Sequence, residues 1–299
     1  MRSASRFRKI LAALAAVALV LAAWVVLSIL TLPSVAPLAK PGVSIMITVK
    51  DWHRKDHPFM VGPRNPRWTP YGAIPAALKK AVVASEDANF YSHDGVDYEA
   101  IQEAIKADWR KGKFAHGGST ITQQLAKNLF LTREKTLIRK VKELVLARRL
   151  DDALSKSRIL ELYLNVVELG PMVYGIGSAA HYYFGKPPSA LTVRECAFLA
   201  SMLPGPKVYN PYRKMDRVMK RSDRILRRMV AARMISREEY DAAMAEVPNL
   251  AGLARKVEKT LETPPPEEKP PAEAPGGGPV VIDSSPAPPP EPGSEEPVR

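Results

Sequence analysis

Apolar and polar positions along this chain follow two different regimes. Residues 10–32 make a run of 23 without a single charge, dominated by Ala, Val and Leu. At about 1.5 Å per residue, a helix of that length crosses the roughly 30 Å hydrocarbon core of a bilayer. No second run of that kind occurs. Residues 43–49 (Val-Ser-Ile-Met-Ile-Thr-Val) read as a short strand or extended segment. The proline-rich, polar and aromatic stretch 51–70 reads as irregular. From there apolar residues recur at helical spacing. The pattern predicts helices over 74–85 (Ala77, Leu78, Ala81, Val82), 98–109 (Ile101, Ile105), 120–130, 137–150, 157–166, 173–184 and 192–202. A basic segment, 215–232, leads to Ser236-Arg-Glu-Glu239, a capping box that opens one more helix. The class is mainly α, with little room for a sheet.

Charge sharpens this outline. Arg2, Arg6, Arg8 and Lys9 precede the apolar run, which holds the N-terminus in the cytoplasm and sends the rest of the chain to the other side. The competing reading is a cleaved signal peptide, but its apolar core usually runs about 7–15 residues. The expectation is therefore a single-pass protein of the cytoplasmic membrane, its main domain extracytoplasmic and most simply periplasmic. The chain carries a formal +13, and residues 261–299, with 13 prolines and 8 acidic residues against two bases, contribute −6, which leaves +19 on the first 260. A field this positive favours an anionic partner: nucleic acid, a lipid surface or a phosphate-bearing substrate. An extracytoplasmic domain rarely meets nucleic acid, so that partner is set aside. The Pro/Glu-rich tail lacks the apolar surface to offset chain ordering and reads as disordered. The lone Cys196 cannot form an intramolecular disulfide and reads as a buried helix residue. The organisation expected is a basic N-terminus (1–9), a transmembrane helix (10–32), a membrane-proximal segment (33–70), a core (71–211), a helical extension (212–260) and the tail (261–299).

Four constellations could carry chemistry. In the first, Glu86 and Asp87 close an apolar helix and are followed by Phe90, His93 and Gly95. A carboxylate at the edge of a core can serve as a general base; the plainer alternative is a solvated helix end with Phe90 as a core plug. His93 beside Asp94 suits structural hydrogen bonding better than proton transfer. In the second, Gly117-Gly118-Ser119-Thr120 leads into a helix whose N-cap is Ser119 or Thr120. Such a start presents N–H groups to phosphate oxygens. Gln123 and Lys127 lie four apart, as do Gln124 and Asn128, so each pair can face one ligand. The alternative is an ordinary capped surface helix; a nucleotide P-loop pattern is absent. In the third, Arg139 and Glu143 are placed for a routine surface ion pair, with Lys140 adjacent and Arg133, Lys135, Arg148 and Arg149 nearby, a set equally fitted to phosphate. The fourth puts Glu161 and Asn165 on one helix face, with Leu160, Tyr163 and Leu164 for packing. It reads as scaffold. The histidines show no ligand spacing and no His-Glu-x-x-His pattern.

Taken in order, these segments resemble the glycosyltransferase domain of peptidoglycan polymerases, the family that includes monofunctional biosynthetic peptidoglycan transglycosylases and one half of class A penicillin-binding proteins. Glu-Asp-x-x-Phe-x-x-His-x-Gly falls on Glu86, Asp87, Phe90, His93 and Gly95. Gly-x-Ser-Thr-x-x-Gln-Gln-x-x-Lys-Asn falls on Gly117 or Gly118 through Asn128. Arg-Lys-x-x-Glu matches Arg139, Lys140 and Glu143, and the fourth motif matches Lys156, Ile159, Leu160, Glu161, Tyr163 and Asn165. Residues 195–206, ending Met-Leu-Pro-Gly-Pro, match the closing region. Lys135 departs from the arginine frequent in relatives, keeping the charge but losing the bidentate fork.

The resemblance implies a lysozyme-like helical fold with a small membrane-proximal lobe, acting on lipid II and a growing lipid-linked glycan strand. Glu86 would deprotonate the acceptor 4-hydroxyl. Ser119, Thr120, Gln123, Gln124, Lys127, Asn128, Lys135, Arg139 and Lys140 would bind substrate and pyrophosphate. Glu143 would work beside the pyrophosphate, organising bases or a divalent cation (Mg²⁺ or Mn²⁺), for which the sequence gives no complete site. Asp87, Phe90, His93, Gly95, Gly118, Glu161, Tyr163 and Asn165 would support the structure. It also implies moenomycin sensitivity, and partners among transpeptidases or division and elongation proteins. Neither Ser-x-x-Lys nor Lys-Thr-Gly occurs in these 299 residues, so cross-linking is expected of another protein. Two alternatives stand beside this reading. A lysozyme-like glycan-cleaving enzyme would not need the basic clamp, and a non-catalytic cell-wall scaffold would not need Glu86.

Overall fold

The computed structural model describes residues 2–51, 53, 55–111, 118–132, 134, 136–203, 205 and 208–250. Its helices are α1 (Arg2–Leu30), α2 (Ala76–Glu86), α3 (Tyr98–Lys111), α4 (Ile121–Phe130), α5 (Leu137–Ala153), α6 (Lys156–Val166), α7 (Gly175–Phe184), α8 (Val193–Met202), α9 (Pro211–Ala231) and α10 (Arg237–Ala245). Two antiparallel hairpins, β1 (Ile45–Lys50) with β2 (Asp56–Val61) and β3 (Glu168–Gly170) with β4 (Val173–Tyr174), are the sheets among the described residues. The predicted helices appear with ends displaced by a few residues. The chain divides into two compact units, residues 1–35 with 89–159 and residues 36–88 with 160–299.

In the first unit, α4 packs on α5 and α1 approaches α5, where the Arg149 guanidinium donates to the Ile29 carbonyl at 3.5 Å. Thr120 is the α4 N-cap: its hydroxyl accepts from the Gln123 N–H while the Gln123 side chain accepts from the Thr120 N–H. That reciprocal pair satisfies two of the orphan donors of a helix start. Ile121, Leu125, Ala126 and Leu129 of α4 and Leu146, Ala147 and Leu150 of α5 supply the core. Along α1, Leu14, Val17, Leu19, Val20, Leu21, Trp24, Val26, Leu27 and Leu30 are exposed. Among the described residues, no helix is long and apolar enough to cross a membrane.

In the second unit, α2 packs against α8 and α9, and α8 against α9. The buried stripe Val218, Ser222, Ile225, Leu226 and Met229 seats α9, and Arg194 of α8, itself buried, pairs with Asp223 of α9 at 2.6 Å. Capping boxes at Thr192/Glu195 and Ser236/Glu239 open α8 and α10. Cys196 is fully buried, and that burial pushes its thiol well up, as expected of an inert core cysteine.

Two expectations need correction. The stretch 51–70 is not wholly irregular, because residues 56–61 pair with β1 in the register Ile45↔Val61 through Lys50↔Asp56. Pro58 disguised it. A two-stranded hairpin leaves one edge of β2 unpaired, so a missing N–H is tolerated there as it would not be in a central strand. The helix expected from Val173 begins only at Gly175, whose φ of +76° turns the chain out of β4. A Cβ at that position would lie 2.5 Å from the Asn165 carbonyl oxygen.

Candidate active site

The candidate residues fall into two groups, one in each unit. In the second unit the last turn of α2 carries Glu86, and Asp87 is its C-cap. Neither carboxylate sits on a solvated helix end: the Glu86 side chain is 9% exposed, and Asp87 is buried. Tyr163 of α6 is fully buried close by. Burial pushes its hydroxyl well above the usual range, and the charges of Glu86 and Asp87 raise it further. Arg221 of α9 reaches Glu86, its Nη2 lying 3.3 Å from Oε1. On the α2 side, Arg228 donates to the Ala84 carbonyl at 3.5 Å, where a cation suits the negative end of a helix.

The residues of the fourth motif tie α6 to the loop 67–70. Glu161 accepts from the Trp68 indole N–H at 3.1 Å. Buried Asn165 accepts from the Thr69 N–H and donates to the Thr69 carbonyl, both at 2.8 Å. The amide thereby mimics a strand partner for the loop that leads towards α2. Gly177 lets the same loop come close, since a Cβ there would stand 2.0 Å from the Arg67 carbonyl oxygen.

The first unit holds the remaining residues. Phe90 is fully buried, with the Lys156 ammonium 5.0 Å from its ring centroid. Lys156 also donates to the His93 carbonyl at 2.5 Å and pairs with Asp151 at 2.7 Å, fastening the loop after the first motif to the start of α6. Gly95 has φ +81°, and a Cβ there would sit 2.6 Å from the Ala147 carbonyl oxygen, so this turn lies directly on α5. Gly95 in turn offers its carbonyl to the Thr120 hydroxyl at 2.7 Å. Gly118 lies close to Ile101, at 3.2 Å for an added Cβ.

The basic cluster is more tightly built than its sequence suggests. Glu143 is buried rather than on the surface. Arg139 pairs with its Oε2 at 2.5 Å, and Lys140 binds its Oε1 and donates to the Ser119 hydroxyl at 3.1 Å. Two cations share one buried carboxylate, which leaves a net positive charge in a partly desolvated setting where it acts strongly on an anion. The buried Arg139 Nε has no hydrogen-bond partner among the described residues. Because Arg139 and Lys140 already occupy both Glu143 oxygens, this donor set does not fit a resident Mg²⁺ or Mn²⁺, and no group of three His, Cys, Asp or Glu suited to a metal occurs among the described residues. Lys127 is exposed on α4, whereas Gln123 is turned wholly inward as the cap partner, with its Nε2 left without a hydrogen bond among the described residues. The two do not present a common face, because the cap claims the glutamine. Gln124 and Asn128 are half-buried. Lys135, Arg133 and Gly117 lie outside the described residues.

Sequence reasoning missed Arg221. It stands 135 positions from Glu86, inside a helix with Lys214, Arg217, Lys220, Arg224, Arg227 and Arg228. Nothing in that run marks one base as different. Only the spacing of Ser222 and Ile225 places its neighbours on the buried side.

A mainly helical chain with a partly buried acidic pair at one helix end, and with Arg139 and Lys140 held by the buried Glu143 on a capped helix, fits a transferase that handles an anionic leaving group. Residues 57–230 match the transglycosylase family model, and the chain belongs to that family. It is 48% identical over 168 residues to a biosynthetic peptidoglycan transglycosylase of Nitrosomonas eutropha, covering 56% of this chain and 69% of that protein. It is 50% identical over 167 residues to one of Paraburkholderia xenovorans, covering 56% and 70%. A crystal structure of penicillin-binding protein 1A from Haemophilus influenzae aligns with 70% of this chain and 21% of that one, at 23% identity and a TM-score of 0.38.

Proposed function

We propose that this protein is a peptidoglycan glycosyltransferase that polymerises lipid II into β-1,4-linked glycan. The match of residues 57–230 to the transglycosylase model carries this reading, since that span takes in every motif residue from Glu86 to Asn165. Glu86 is the general base. It takes the proton of the acceptor N-acetylglucosamine 4-hydroxyl as that oxygen attacks the anomeric carbon of the donor N-acetylmuramic acid. The bond from that carbon to the phosphate oxygen breaks, undecaprenyl pyrophosphate leaves, and the configuration inverts from α to β. The proton passes from Glu86 to solvent. A pyrophosphate leaves as an anion, so fixed cations can stabilise its departure without an obligatory acid. Arg139, Lys140, Lys127 and Lys135 are the groups assigned to it. Glu143 holds Arg139 and Lys140 in place, as its two ion pairs support. The lysozyme-like fold with a small membrane-proximal lobe belongs to the same proposal.

The anchor belongs to it as well. The uncharged run 10–32, the bases before it, and the exposed apolar side chains of α1 support a single membrane-spanning helix with the N-terminus inside. It would keep the enzyme at the surface where donor and acceptor both hold their lipids. The test is polymerisation of labelled lipid II by the full chain in detergent. Long uncross-linked strands, suppressed by moenomycin and indifferent to penicillin, are expected. A product of short cleaved saccharides would favour a glycan-cleaving enzyme instead.

A further inference from the structure

The helical segment after the motif-bearing core, set apart as an extension on sequence grounds, sends one side chain to the proposed base. Arg221 Nη2 lies 3.3 Å from Glu86 Oε1, with the arginine side chain 21% exposed and the carboxylate 9%. The arginine is itself held. Its guanidinium carbon stands 5.3 Å from the Tyr209 ring centroid, in range of a cation–π contact. Its helix is fixed by the Arg194–Asp223 pair and the buried Val218–Met229 stripe. Further along α9, Arg228 bonds the Ala84 carbonyl at 3.5 Å, so the same helix grips both the side chain and the backbone at the end of α2. The buried Arg221 Nε has no hydrogen-bond partner among the described residues.

We propose that Arg221 is a positioning residue: it fixes the Glu86 carboxylate in the orientation from which it takes the acceptor proton. The inference rests on Glu86 being the base. A base held by a planar guanidinium loses rotational freedom before substrate arrives, and a displacement of about 1 Å in such a group can cost on the order of a hundred-fold in rate. A lysine would keep the charge but not the planar fork.

The experiment compares full-length wild type, Arg221→Ala, Arg221→Lys and Glu86→Gln on labelled lipid II, with thermal unfolding of each. Arg221→Ala is expected to lower kcat by about ten- to a hundred-fold while KM for lipid II changes little. Arg221→Lys should recover part of the loss, and added guanidinium at low millimolar concentration should raise the rate of Arg221→Ala but not of Glu86→Gln. Wild-type kcat in a folded Arg221→Ala protein would overturn the inference while leaving the function intact. So would a loss that follows melting temperature and resists guanidinium. Should the alanine variant not fold, Arg221→Lys decides alone: a reduced kcat at unchanged KM supports the role, and wild-type kcat overturns it. A wild type that forms no strands refutes the underlying reading instead.

Discussion

At the scale of single residues, the carboxylates differ in their surroundings. Glu86 and Asp87 are withdrawn from water beside a buried tyrosine, Glu143 is shared by two cations, and Asp97 caps a helix. Replacing Glu86 with Gln is expected to reduce strand synthesis by about 10²–10⁴-fold, the usual worth of a general base, with circular dichroism and melting temperature unchanged. Asp97 accepts from the Ala100 N–H at 2.8 Å and from the Asn89 amide at 3.0 Å, and these bonds, the backbone one foremost, hold its carboxyl below the ordinary carboxylate range. A carboxyl lowered on folding stabilises the native state above its unfolded value, and that stability disappears as pH falls through the lowered one. Urea unfolding at neutral pH should show Asp97→Ala less stable by about 1 kcal/mol. The difference should vanish in strong acid, where the wild-type carboxyl is protonated too. Glu86, Glu143 and the basic residues could be singled out from sequence because their neighbours made recognisable patterns. Arg221 could not, because its meaning comes from a partner far away in the chain and its own neighbours are all alike.

At the scale of elements, local signals are legible and tertiary ones are not. Thr120, Thr192 and Ser236 each stand three positions before a Gln or Glu, and each forms the reciprocal cap that this spacing allows. Pro58, by contrast, hid β2, since its tolerance depends on having no strand on one side. Gln123 looked ready to face a ligand alongside Lys127, but the cap and the core claimed it. Glu143 looked like a surface residue at helical spacing from Arg139, but in the fold it is buried, with Arg139 and Lys140 on its carboxylate. The Asn165 bridge is likewise invisible until residues 96 positions apart meet. Asn165→Ala should leave the Thr69 N–H and carbonyl without their partner, at a cost of about 2–4 kcal/mol. The loss should appear as a lower melting temperature and as faster amide exchange around Thr69, with α4 and α5 unaffected.

At the scale of the whole molecule, the chain joins an uncharged N-terminal run, a strongly basic body and an acidic proline-rich tail. Composition is what proposes the run as an anchor, and the apolar side chains exposed along α1 support that proposal. Removing residues 1–32 should move the protein from the alkali-washed membrane pellet to the supernatant, while the core stays folded. The central claim is that the chain joins lipid-linked disaccharides rather than cleaving or merely binding them. The most direct measurement is the product formed when purified full-length protein meets labelled lipid II, separated by length beside the Glu86→Gln protein. Long glycan strands from the wild type and none from the variant, with both still binding lipid II, is the predicted result. Lipid II binding without strands in the wild type, or equal strand synthesis by the variant, would contradict it.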